Sequence, residues 1–181
     1  MPSNSLSRGV SLLRAPFWAL TLTLLLTTHG VDITLIRGTS MVPTLPSGSL
    51  ILWNRHKPTQ NLERGALVEF YSPAAPETSA VKRVVALAGD EVTLDSGRRP
   101  KRVRDGDENR RWDALGGRVR IPEGHVWVEG DNRSLSRDSN WYGPVSMGMI
   151  RGKAVCLLWP WREIGRTPWV GFKSQTGVTI R

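Results

Sequence analysis

The segment Ala80–Asp90, AVKRVVALAGD, is a run of strand-forming residues that ends at a glycine turn and contains a lysine. Alternate side chains of an extended strand point to opposite faces, so Ala80, Lys82 and Val84 share one face. Lys82 therefore has apolar neighbours. Two interpretations remain open: a buried functional amine, or a lysine whose stem lies along the strand edge while its ammonium reaches water.

Other short apolar runs follow the same strand pattern on both sides of this segment. Turns rich in Gly and Pro separate them, and no segment after residue 40 sustains the helical period of 3.6 residues. The sequence therefore predicts a mainly β, antiparallel domain over residues 37–181. The runs span residues 49–53, 66–70, 91–94, 118–121, 125–129 and 154–159.

The N-terminal part of the chain has a different composition. Residues 15–30 carry no formally charged residue, and two arginines but no acid precede them. Because no small-residue cleavage site follows, we predict one uncleaved transmembrane helix over residues 15–36, with Asp32 near an interface or against a partner helix. The positive-inside rule leaves residues 1–14 on the inner side of the membrane. A buried core helix and a mitochondrial targeting region are the alternatives.

The charge of the chain is strongly basic, with a formal net charge of +9 over 181 residues. Such a balance suits nucleic acid or anionic lipid, but no nucleic-acid-binding signature accompanies it. We therefore expect lipid and protein partners and no nucleic acid. Residues 98–117 are predicted to form a basic, solvated loop. The single cysteine, Cys156, lies in an apolar run and indicates core packing.

The stretch Gly38–Leu45, GTSMVPTL, places a serine just after the apolar segment. A serine hydroxyl needs a base before it acts as a nucleophile. A buried lysine can serve, because desolvation lowers the lysine pKa below its ordinary ~10.4. Lys82 is the candidate base for Ser40, and Lys153, which also lies in an apolar strand, is its rival. The histidines have no telling context: His29, His56 and His125.

Three segments in order resemble the boxes of type I signal peptidases. GTSMVPTL is similar to their Ser-Met-x-Pro-Thr box, and AVKRVVALAGD resembles their lysine box. Residues 128–154, VEGDNRSLSRDSNWYGPVSMGMIRGKA, resemble their Gly-Asp-Asn…Asp-Ser…Gly-Pro box. The resemblance implies an antiparallel β-domain with serine endopeptidase activity, Ser40 as nucleophile and Lys82 as base. It implies no metal and no cofactor.

The resemblance also assigns supporting roles around this pair. Ser136 would orient Lys82, and Asp138 would be a structural carboxylate near the dyad. Met41 would pack beside it, and the Ser40 N–H would contribute to the oxyanion hole.

Two positions depart from the bacterial pattern. Gly38 stands where many bacterial members carry a serine that offers a second oxyanion donor. Asn140 stands where they usually carry an arginine, which removes a partner for Asp138. The Asp-Ser-Asn sequence, an aromatic residue and Gly-Pro together resemble the second catalytic subunits of mitochondrial inner membrane peptidases.

This mitochondrial resemblance implies an inner membrane enzyme whose catalytic domain faces the intermembrane space, with residues 1–14 in the matrix. Its partners would be precursor proteins with hydrophobic sorting signals, the lipid bilayer and a sister peptidase subunit. The alternatives are a bacterial type I signal peptidase and a catalytically silent partner of a sister subunit. A membrane-tethered β-domain that binds lipid or nucleic acid would leave the three boxes unexplained.

Overall fold

The computed structural model describes residues 16–18, 20, 21, 30–94, 117–171 and 176–180. The predicted N-terminal segment, residues 15, 19 and 22–29 of the predicted anchor, and residues 98–116 of the basic loop lie outside this part. From residue 30 onward, the described residues form ten strands and one short α-helix. These are β1 (Val31–Leu35), β2 (Leu50–Asn54), β3 (Leu67–Ser72), β4 (Ala75–Ala86), β5 (Glu91–Thr93), β6 (Arg118–Arg120), β7 (His125–Glu129), α1 (Ser139–Tyr142), β8 (Val145–Ser146), β9 (Ile150–Trp159) and β10 (Val178–Thr179).

The strands assemble into two sheets, and the pairings are antiparallel. The larger sheet has the order β1-β2-β9-β3-β4-β7-β8, and the smaller one has the order β10-β5-β6. The two longest strands, β4 and β9, each pair with two neighbours and so form the frame of the larger sheet. The predicted mainly β, antiparallel architecture is confirmed.

Strand β1 corrects the predicted end of the N-terminal helix. Residues 31–35 do not continue a helix to residue 36, because they pair antiparallel with β2 from Val31↔Asn54 to Leu35↔Leu50. Their β-branched side chains favour a pleated strand. Asp32, expected near a membrane interface or a partner helix, instead forms an ion pair with Arg55, whose Nη2 lies 2.8 Å from its Oδ2.

Before residue 30, five residues of the predicted anchor fall within the part of the chain that the structure describes. Residues 16–18, 20 and 21 are helical. No helix in the described ranges has both the length and the apolar character needed to cross a bilayer.

The turn that closes the lysine strand is held by the Asp90 carboxylate. Gly89 has a φ of +87°, which favours glycine. Asp90 Oδ2 accepts hydrogen bonds from the Leu87 N–H at 2.9 Å and from Arg64 Nε at 2.8 Å. The trailing Gly-Asp of AVKRVVALAGD therefore fixes where β4 ends.

A buried ion pair joins β4 to the loop after β7. Arg83 Nε and Nη2 bind the two Asp131 oxygens at 2.8 and 2.6 Å, and both side chains are 2% exposed. Arg83 Nη1 also donates to the carbonyl oxygens of Gly65 and Trp169. Since each charge is desolvated, each depends on the other for compensation.

Replacing Arg83 by methionine should therefore destabilise the fold by about 3–5 kcal/mol, because it leaves the Asp131 carboxylate buried without its bidentate partner. Chemical denaturation of the purified protein measures this loss. The control is Arg166→Met, which removes an exposed pair with Glu163 and should cost ~1 kcal/mol or less. Equal costs for the two variants would show that the buried pair does not hold the loop.

Candidate active site

The structure brings Ser40 and Lys82 together. Lys82 Nζ lies within hydrogen-bond distance of Ser40 Oγ, at 2.6 Å. Lys82 is 4% exposed, so its amine is buried and does not extend from the strand edge into water. The rival lysine is elsewhere, because Lys153 Nζ donates to the Asn61 carbonyl oxygen at 2.9 Å.

The histidines give Ser40 no alternative base within the part of the chain described. His56 is exposed, and His125 Nδ1 contacts the Glu123 carbonyl oxygen at 2.9 Å. Neither lines the cleft that contains Ser40. His29 lies outside the described residues. The lysine is therefore the titratable group in contact with the serine hydroxyl.

The Ser40 backbone is held from the opposite side by the Gly-Asp-Asn segment. Asn132 donates its N–H to the Ser40 carbonyl oxygen at 3.0 Å and its Nδ2 to the Thr39 carbonyl oxygen at 3.2 Å. A Cβ atom at Gly130 would lie 2.6 Å from the Ser40 carbonyl oxygen and 2.2 Å from Ser136 Oγ. Glycine is thus required at residue 130 for this close approach, a role that the motif alone did not reveal.

Ser136 is placed beside Gly130 but does not make the predicted contact. Its side chain is buried, and its Oγ forms no hydrogen bond with any group in the described ranges. The orienting hydrogen bond to Lys82 that the family resemblance implies is therefore not formed in this structure.

Asp138 is fully buried and caps helix α1. Its Oδ1 accepts from the Asn140 N–H and from Asn140 Nδ2, at 3.1 and 3.0 Å, and its Oδ2 accepts from the Gly130 N–H at 3.0 Å. Asn140 thus donates to Asp138 from the position where bacterial members carry arginine. Burial raises the pKa of the nearby Tyr142 phenol, and the Asp138 charge adds to this rise.

Asn140 also contacts a second buried carboxylate that the sequence did not single out. Asn140 Nδ2 lies 3.1 Å from Glu129 Oε1, which accepts from Trp127 Nε1 at 2.8 Å as well. Glu129 Oε2 accepts from the Thr176 hydroxyl at 2.7 Å. This network ties α1 and the C-terminal part of the chain to β7, directly before Gly130.

A cleft of about 540 Å³ contains Ser40, Met41 and Lys82. Met41 lines the same cleft as Ser40 and Lys82, and its side chain is buried in the core. One wall of the cleft is residues 34–38, and the other is residues 78–82 of β4. Among the described residues, β1 pairs only with β2, and β4 pairs with β7 only from Arg83 onward. Both walls therefore present strand edges that an extended peptide can join.

Ser40 also brings a backbone N–H group to this cleft. It donates to no acceptor among the described residues, so it is available to a ligand. Gly38, with a φ of +95° and no atom within 4 Å of the point where a Cβ would lie, supplies no side-chain donor. No cluster of three or more potential metal ligands occurs in the described ranges.

Comparisons with known proteins show the family to which the chain belongs. Residues 10–159 match the family model of signal peptidase, peptidase S26. The mitochondrial inner membrane protease subunit 2 of Mus musculus is 40% identical over 132 residues, which is 69% of this chain and 65% of the mouse protein, slightly less than two thirds of its length.

Two further relatives carry related names. Subunit 2 of Schizosaccharomyces pombe is 36% identical over 154 residues, 81% of this chain and 75% of that protein. Subunit 1 of Mus musculus is 34% identical over 129 residues, 71% of this chain and 69% of that protein. The resemblance predicted from the three boxes is confirmed, and the chain belongs to the signal peptidase family, peptidase S26.

Proposed function

We propose that this chain is a membrane-anchored serine endopeptidase that removes hydrophobic sorting signals from proteins delivered to the mitochondrial intermembrane space. The observation that carries the proposal is the 2.6 Å contact between Ser40 Oγ and the buried Lys82 Nζ. This contact lies in a cleft between two strand edges. Membership of the signal peptidase family supports the reaction class, and the names of the relatives support the inner membrane.

In the proposed mechanism Ser40 Oγ attacks the scissile carbonyl carbon while Lys82 Nζ accepts the hydroxyl proton. The oxygen that becomes negative receives a hydrogen bond from the Ser40 N–H. Lys82 then donates its proton to the leaving amine, which departs and leaves an ester on Ser40. A water molecule, deprotonated by Lys82, attacks this ester, and Lys82 returns the proton to Ser40 Oγ as the carboxyl product leaves. Burial favours the neutral amine that both proton-abstraction steps require.

The substrate is proposed to lie extended between residues 34–38 and the free edge of β4. Its main chain would form hydrogen bonds with these edges, and its side chains would enter the cleft alternately. The family resemblance implies small residues one and three positions before the cut. The partly buried Val81 and the buried Ile36 line the cleft and limit the size of these side chains.

An exposed apolar face supports contact with the bilayer. Strand β2 lies between β1 and β9 and pairs Leu50 with both Leu35 and Trp159. Large hydrophobic side chains at this end of the sheet are 46–62% exposed: Ile33, Leu35, Trp159, Trp161 and Ile164. Trp is typical of membrane interfaces. We place this face against the lipid, on the intermembrane space side. The names of the relatives, subunits 1 and 2, support a sister subunit as a further partner.

Ser40→Ala and Lys82→Ala should each lower kcat by about 10³-fold or more in the purified full-length protein, because each removes half of one proton-transfer unit. Cleavage of a peptide that spans a sorting-signal junction measures this. The double variant should be no slower than either single variant. Lys153→Ala is the matched control and should retain activity; loss of activity in that variant alone would move the base to Lys153.

The same variants separate an enzyme from a silent partner in cells. Sequencing of precursor N-termini should show unprocessed sorting signals in cells that carry Ser40→Ala at normal protein levels. Normal processing in those cells would mean that a sister subunit does the cleavage and that this chain only supports it.

The protein should resist carbonate extraction from mitochondria, because an uncleaved apolar segment anchors it. Protease added after rupture of the outer membrane should digest the catalytic domain, and protease added to intact mitochondria should not. A domain that stays protected after rupture would lie in the matrix, which would contradict the proposed access to substrates.

A further inference from the structure

We infer that Glu69 makes one subsite of the cleft select a substrate side chain that donates a hydrogen bond, with a neutral hydroxyl or amide favoured over an aliphatic or cationic group. The inference rests on the proposed endopeptidase function. It concerns which sequences are cut, not whether cutting occurs.

Glu69 is an acidic residue in an otherwise apolar strand and lies in the substrate cleft. It belongs to β3, between the buried residues Val68 and Phe70, and is itself 3% exposed. It pairs in register with Val81 of β4, the residue next to Lys82. The cleft that contains Ser40 and Lys82 is lined by Glu69 as well. A substrate held in this cleft therefore meets a buried carboxylate.

The carboxylate keeps unused capacity to accept hydrogen bonds. Glu69 Oε2 forms an ion pair with Arg55 Nη1, so this oxygen is already occupied. Glu69 Oε1 lies 3.7 Å from Arg151 Nη1, which is beyond a normal hydrogen bond. A donor on the substrate would bind Oε1, which accepts no hydrogen bond from the described residues.

The charges around Glu69 favour a neutral donor. Arg55 and Arg151 approach the carboxylate, and Arg55 Nη2 also binds Asp32 Oδ2 at 2.8 Å. The charges of the two arginines and of the two carboxylates therefore sum to zero. A lysine or arginine side chain of the substrate would have no uncompensated negative charge to pair with. Gly152 leaves the space for this arrangement, because a Cβ atom there would lie 2.9 Å from Arg55 Nη1.

The position of the subsite follows from strand geometry. Alternate side chains of an extended substrate point to the same face, about 6.6 Å apart. If the residue before the scissile bond lies over Ser40 and Met41, the next residue on that face is the third before the cut. Because Glu69 lines the same cleft as Ser40 and pairs across from Val81, we assign it to this second position. A small polar residue such as threonine then fits both the size of the pocket and the acceptor.

The test compares peptides that differ only in threonine or valine at the third residue before the cut, since these side chains have nearly the same shape. The wild-type protein should give a kcat/KM about tenfold or more higher for threonine. Glu69→Val should bring the ratio to about one or reverse it, and Glu69→Gln, which keeps an acceptor, should retain part of it. Glu163→Gln, at another arginine-paired glutamate, is the control and should leave the ratio unchanged. Thermal melts establish that each variant is folded.

A ratio near one in the wild-type protein, or an unchanged ratio in folded Glu69→Val, would overturn the inference while leaving the proposed protease intact. So would faster cleavage of a lysine peptide than of the threonine peptide. If Glu69→Val does not fold, the wild-type protein alone still decides the question. Its threonine-to-valine ratio of kcat/KM should be high for the third residue before the cut and near one for the second and fourth residues. Failure of the wild type to cut any peptide, or cleavage that persists in Ser40→Ala, would instead count against the proposed function.

Discussion

A lysine amine withdrawn from water and held against a serine hydroxyl is the constraint around which the rest of the structure is arranged. The two groups are 42 residues apart in the chain and meet at 2.6 Å. A buried ammonium is unfavourable, so Lys82 must be fixed by a strand that is itself well supported. Strand β4 meets this requirement because it pairs with β3 along its length and with β7 at its end.

Because side chains alternate between the two faces of β4, neighbouring residues contact different parts of the protein. Lys82 contacts Ser40, while Arg83 points to the other face and holds Asp131. Asp131 lies between Gly130, which packs against the Ser40 carbonyl oxygen, and Asn132, which donates to it. Asp138 in turn accepts from the Gly130 N–H. The residue next to the proposed base thus anchors the loop that positions the proposed nucleophile.

Strand alternation and three sequence boxes were enough to predict the antiparallel fold and the meeting of Ser40 with Lys82. The start of β1 was missed because the length of a bilayer span favoured extending a helix through residues 31–36, and the Arg55 that pairs with Asp32 is distant in sequence. The donation from Asn140 to Asp138 and the role of Gly130 depend on contacts between loops. Glu69 could not be assigned a role from the sequence, where it is one acidic residue in an apolar run. Its arginine partners come from other parts of the chain.

The pH dependence of kcat/KM on a peptide substrate measures most directly whether neutral Lys82 activates Ser40. The base must be unprotonated, so activity should rise with pH through the titration of Lys82, and burial should place the midpoint below the ordinary lysine value of ~10.4. The midpoint should not move in Lys153→Ala. A rise centred on the ordinary lysine value of ~10.4 would contradict a buried lysine as the base.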